Sequence, residues 1–146
     1  MKTKEKPKMG RFSIEFEIAN NRDLNNALGG HLDPAKVRRK KIQGVVDSGA
    51  TRLILPLAVV KELGLPLKKQ KVKVRYGDGR RSLRAEVEEI HLYLLGRDGV
   101  FKAVVEPKRD TALIGAIVLE DLDFLVDCTN LRLVPRDPKY VVNEIE

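Results

Sequence analysis

Phe12, Ile14, Phe16 and Ile18 alternate with Ser13, Glu15 and Glu17. A two-residue period puts one face of an extended chain against a core and the other in water, which is the pattern of a half-buried strand. Short apolar runs between turn residues recur along the rest of the sequence. Val37–Val46 runs into the apolar pair Val45-Val46. Val72–Tyr76 and Arg81–Val87 flank Gly77-Asp78-Gly79, and an Asp-Gly pair suits a tight turn that needs positive φ. Ile90–Leu94 and Val100–Val105 flank Gly96-Arg97-Asp98-Gly99 in the same way, and Phe124–Val126 and Leu131–Val134 flank Cys128-Thr129-Asn130. Two helices interrupt this series. Leu57–Leu63 has Pro56 at its favourable first position and Gly64 to end it, and Ile117–Leu122 forms a shorter one. Asn20–Pro34, with four Asn and little periodicity, reads as a long surface loop. The expected class is all-β, a closed barrel with one or two short helices.

A chain of 146 residues suffices for one domain with a real core. The expected division is a basic tail over 1–8, one domain over 9–138, and a C-terminal segment over 139–146. Tyr140–Ile145 is apolar enough to serve as an interface strand, and equally reads as a ragged tail. Cys128 is the only cysteine, so no intrachain disulfide forms. Cys128, His31 and His91 lack metal-ligand spacing, so neither a metal nor another cofactor is expected. No apolar run approaches the roughly 20 residues that span a bilayer. The charged start is followed by no apolar segment of signal-peptide type. A cytoplasmic location is the default expectation.

The net charge is +7 and the isoelectric point about 9.6, which raises the question of nucleic acid. The basic residues fall in separate clusters: the N-terminal tail, Arg38–Lys41, Lys68–Lys71 and Arg80-Arg81. Aromatic content is 5%, and only Tyr76 stands near a cluster as a stacking candidate. Solvated surface lysines account for this distribution, and nucleic-acid binding is not the expected role.

The segment with chemical content is Val45-Val46-Asp47-Ser48-Gly49-Ala50-Thr51, a carboxylate placed after two apolar strand residues. On its own, an Asp beside Ser-Gly caps a turn as readily as it carries chemistry. A faint echo, Leu113-Ile114-Gly115-Ala116, also follows a strand and precedes a short helix. A duplicated strand–turn–helix unit is one explanation, resting on four matching positions.

Taken in chain order, these features resemble the retropepsin-like aspartic proteases, in particular their small cellular and prokaryotic members. The matching features are Asp47-Ser48-Gly49-Ala50-Thr51, the short helix from Pro56 to Gly64, a Gly-tipped hairpin at Tyr76–Arg81, and Leu113-Ile114-Gly115. The resemblance covers roughly Phe12–Arg136. It implies a closed, mostly antiparallel barrel and a peptidase in which two carboxylates share one proton around a water.

One Asp-Ser-Gly per chain then implies a homodimer with an Asp47 from each copy. Ser48 would hydrogen-bond across the axis, and Gly49 would let the backbone approach the carboxylates. Ala50 and Thr51 would line a groove for peptide or unfolded protein. Tyr76, Gly77, Asp78 and Gly79 would tip a flap, although a plain hairpin accounts for them equally if Asp47 is set aside. Leu113, Ile114 and Gly115 would support the loop. The resemblance has departures: where viral members carry an Arg after the second Gly paired with an acid, this chain has Ala116 and Thr51. A weakly catalytic binding or scaffold module of the same fold is the alternative. The 20–36 insertion has no assigned purpose.

Overall fold

The structure, a computed structural model, describes residues 11–140 and 145. Among the described residues ten strands and three short α-helices follow one another. They are β1 (Phe12–Asn20), α1 (Asn21–Leu28), β2 (Arg39–Val46), β3 (Leu53–Pro56), α2 (Leu57–Leu63), β4 (Val72–Arg75), β5 (Arg81–Arg84), β6 (Glu86–Leu94), β7 (Arg97–Glu106), β8 (Ala112–Ile114), α3 (Ala116–Asp121), β9 (Phe124–Asp127) and β10 (Arg132–Pro135). Six strands close a barrel in the order β1-β2-β8-β3-β7-β6, which leaves it no free edge. β4-β5 and β9-β10 are separate two-stranded hairpins. The all-β class is therefore correct.

The alternation seen in β1 is realised: Phe16 and Ile18 are buried, while Ser13 and Glu15 are exposed. They join a barrel core with Val46, Leu53, Leu55, Ile90, Leu92, Ala103 and Ile114. β8 lies between β2 and β3, two strands that are consecutive in the chain. It runs parallel to β2 with Val45 opposite Leu113 and Val46 opposite Ile114, and antiparallel to β3 with Ile54 opposite Leu113. The loop that joins β2 to β3 must therefore pass over the end of β8. That arrangement places Asp47.

The Asn20–Pro34 segment is not a loop. It contains α1 and a 3-10 turn at Pro34–Lys36, which brings the α-helices to three rather than one or two. α1 has little apolar surface. The Asn20 side chain accepts the Asp23 N–H at 3.1 Å as its N-cap and donates to the Leu63 carbonyl at 2.8 Å. The Asp23 carboxylate takes the Arg38 guanidinium in a bidentate grip, at 2.8 and 2.9 Å, and also the Arg38 N–H at 3.0 Å. The helix is held by polar contacts to distant parts of the chain, and hydrophobic periodicity is blind to these. The cap itself had a local signal, Asn20 followed three residues later by Asp23.

Two boundaries also move. The second barrel turn is the pair Leu95-Gly96, both at positive φ, and Arg97–Gly99 belong to β7 rather than to the turn. The cause is tertiary. Arg97 is buried, and its guanidinium donates to the carbonyls of Leu122, Asp123 and Asp137 while stacking on Phe124 and Tyr140. The expected strand Arg81–Val87 is broken at Ala85, where the chain leaves the β4-β5 hairpin and enters the barrel as β6. α2 spans Leu57–Leu63 as expected, with Pro56 as its N-cap, one position before the expected site, and Gly64 in the left-handed conformation. Most of the expected C-terminal strand, 141–144, lies outside the described residues.

Candidate active-site loop and groove

Asp47 is the first residue after β2. Its N–H donates to the Ile114 carbonyl at 3.0 Å, continuing the β2-β8 ladder by one bond. Its carbonyl accepts the Ala50 N–H at 3.0 Å, closing a tight turn. Within that turn Oδ1 accepts the Gly49 N–H at 3.0 Å, so one carboxylate oxygen is oriented by the loop's own backbone. Ser48, Gly49 and Thr51 are exposed in the single chain, and the Asp47 side chain is 22% exposed.

The β8 end holds this loop from beneath. The Ala116 N–H donates to the Ala50 carbonyl at 2.8 Å, and the Ile117 N–H to the Thr51 carbonyl at 2.9 Å. Backbone bonds thus stand where the resemblance led one to look for an Arg–acid pair. Gly115 makes them possible. A Cβ there would lie 2.5 Å from the Arg52 carbonyl oxygen and 2.7 Å from that of Ala50. Leu113 and Ile114 are buried beneath the loop.

Loop, barrel and hairpin together enclose a groove of about 620 Å³. Gly49–Arg52, Ile54 and Val104 line one side, and Val72–Tyr76 of β4 and the residue after it line the other. Of the hairpin-tip residues, Tyr76 borders the groove; Gly77, Asp78 and Gly79 are exposed in the turn and do not line it. Tyr76 is anchored. Its hydroxyl donates to Glu106 Oε1 at 2.8 Å, Arg84 Nε donates to the same oxygen at 2.6 Å, and the guanidinium groups of Arg80 and Arg84 lie 4.9 and 5.7 Å from the ring centre. Burial, and then the Glu106 carboxylate, push the Tyr76 phenol above its ordinary value.

Sequence reasoning passed over several charged residues here. Arg11, just before β1, places Nη2 3.2 Å from Asp47 Oδ2, while its Nε is buried without a hydrogen-bond partner among the described residues. Arg109 is held by the Thr111 carbonyl at 2.6 Å. Burial, and then the Arg11 charge, lower its pKa from the ordinary value, with Glu106, Asp110 and Asp47 pulling the other way. Glu106 and Arg52 were also missed. Each is a lone charge at the edge of an apolar run, a pattern too common to stand out. Among the described residues no group of three or more His, Cys, Asp or Glu forms a possible metal site. No described helix is long and apolar enough to cross a membrane.

A six-stranded closed barrel, with an Asp-Ser-Gly loop crossing the end of an inserted strand and a hairpin over the adjoining groove, defines a retropepsin-like domain. The family model described as "gag-polyprotein putative aspartyl protease" matches residues 34–121, and the chain belongs to that family of retropepsin-like aspartyl proteases. No curated protein matches the chain.

Proposed function

We propose that the protein is an aspartic endopeptidase that works as a homodimer, with one Asp47 from each chain. The observation that carries this reading is a backbone-oriented Asp47 whose loop, through Gly49–Arg52, lines a groove of about 620 Å³. One carboxylate per chain cannot act alone in this chemistry. Two held about 3 Å apart share a proton, because both cannot ionise readily. The ionised partner then draws a proton from water as the water attacks the peptide carbon, and the protonated partner polarises the carbonyl oxygen. Ser48, Gly49 and Thr51 are exposed in the single chain, as a face covered by a second copy requires, and Ser48 would bond across the axis. The β4-β5 hairpin acts as the flap that covers bound peptide and excludes water.

Asp47→Asn is expected to abolish hydrolysis of a peptide library, to leave the dimer intact in sedimentation, and to match the effect of pepstatin on the unaltered protein. Undiminished cleavage by the variant overturns the assignment.

One observation favours a second reading, a catalytically weak binding module. Arg11 occupies the Asp47 oxygen that Gly49 leaves open, and a shared proton requires that it withdraw. Hydrolysis gained on Arg11→Ala supports the peptidase. Absence of hydrolysis in both proteins, at concentrations where the dimer is fully formed, supports the module.

A further inference from the structure

The groove carries an uneven set of charges. Its two acids are already answered. Glu86 is 3.3 Å from Lys68 Nζ, and Glu106 binds Arg84 and Tyr76. Three bases also line it, Arg52 from the Asp47 loop and Lys73 and Arg75 from β4, and none of these has an acidic partner among the described residues. Elsewhere among the described residues some bases are paired, as Arg38 with Asp23, Lys40 with Glu62 and Arg132 with Asp127, and others stand in solvent without an acidic partner; what sets these three apart is that they border one groove.

The hairpin register adds a second observation. Arg75 stands directly opposite Arg81, and like charges facing each other across two strands are destabilising. The alternation in β4 leaves Val72 and Val74 half-buried while Lys73 and Arg75 stay exposed. The groove therefore has apolar walls from Val72 and Val74, the exposed Lys73 and Arg75 on the other face of β4 at its rim, and the half-buried Arg52 in its lining beside the Asp47 loop.

We propose that this groove selects polypeptide segments carrying aspartate or glutamate next to the cleaved bond. The proposal rests on the peptidase reading for the word "cleaved", and on the unpaired Arg52, Lys73 and Arg75 for the preference. A peptide suits the site better than a nucleic acid. Among the described residues Tyr76 is the one aromatic lining the groove, and its ring is already engaged by Arg80 and Arg84 instead of being free to stack a base. Three partly exposed charge pairs, each worth a factor of about two to three, multiply to roughly tenfold in selectivity.

The test uses synthetic peptides with a fixed apolar centre, flanked on both sides by Glu, Gln or Lys, at pH 6, where glutamate is ionised. Binding is measured on Asp47→Asn by fluorescence anisotropy, and kcat/KM on the unaltered protein. The Glu peptide is expected to exceed the Lys peptide about tenfold in both, with the ratio shrinking between 20 and 300 mM salt, values chosen to bracket a Debye length of about 8 Å. The ratio should fall to near one in the triple variant R52Q/K73Q/R75Q and should shift toward the Lys peptide in Arg75→Glu. Equal binding of Glu and Lys peptides overturns the proposal, as does a preference that survives the triple substitution. So does an RNA oligomer that displaces the Glu peptide more tightly than a peptide of equal charge. If no peptide is cleaved, the peptidase reading fails, while the anisotropy ratio still decides the charge preference.

Discussion

Gly115→Ala isolates the contact on which the Asp47 loop depends. Gly115 has φ −94° and ψ −177°, extended backbone open to any residue, so the substitution brings no backbone strain. Its whole effect is steric. The new Cβ would sit 2.5 Å from the Arg52 oxygen, 2.7 Å from the Ala50 oxygen and 2.8 Å from the Arg52 nitrogen. All three are main-chain atoms and cannot swing aside as a side-chain tip can. Relief requires the loop to shift by about 0.5–0.8 Å, which weakens the bonds from Ala116 and Ile117 that dock it on β8. Overpacking of this kind costs about 1–3 kcal/mol. Weakening two backbone bonds adds up to about 1 kcal/mol each. The expected loss is thus about 2–4 kcal/mol in urea unfolding, or roughly 10 °C in Tm for a domain of this size. Gly79→Ala is the control. It has φ +87° but nothing within 4 Å, and is expected to cost about 1 kcal/mol by conformation alone. A Gly115→Ala protein within 0.5 kcal/mol of the parent, by the general scale of neutral surface changes, refutes the close-approach argument. So does a larger loss in the control.

The hairpin over the groove should prove separable from the barrel. Glu106→Ala removes the acceptor shared by Tyr76 and Arg84 and is expected to speed amide exchange across β4-β5 about tenfold, as loss of roughly 1–2 kcal/mol requires, with β1 and β6 unchanged; equal acceleration in the barrel would count against a local anchor. Asp127 offers a pH test. The Asn130 side chain and backbone, with smaller help from Arg132 and Thr129, lower its carboxyl to about 2. A depressed carboxylate stabilises above its unfolded pKa of about 3.9 and loses that contribution as pH falls through the folded value. The Asp127 carboxyl carbon should therefore titrate near pH 2 by NMR, with the β9-β10 turn intact at pH 4; a midpoint near 4 contradicts the hydrogen bonds at this turn.

Alternation was enough to read β1, because a two-residue period is a local consequence of having one wet face, and the Asp-Gly turn signal placed the β4-β5 hairpin. Pro56 and Gly64 likewise bracket α2 by their own backbone limits. α1 was missed because what holds it lies far along the chain: Leu63 is 43 residues from Asn20, and Arg38 is 15 from Asp23. The turn before β7 was misplaced because two glycines and an Asp outweighed Arg97, whose burial depends on carbonyls 25 or more residues distant.

The candidate site divides along the same line. The Asp47-Ser48-Gly49 order is a property of neighbours in the chain, and so was legible along with the family it belongs to. Only the folded chain brings Gly115 under Ala50, Arg11 onto Asp47 Oδ2, and Glu106 to Tyr76. Neighbouring residues determine how the backbone turns locally. Which charges meet across a groove depends on barrel closure, and that is a joint property of strands too far apart in sequence for any local pattern to report.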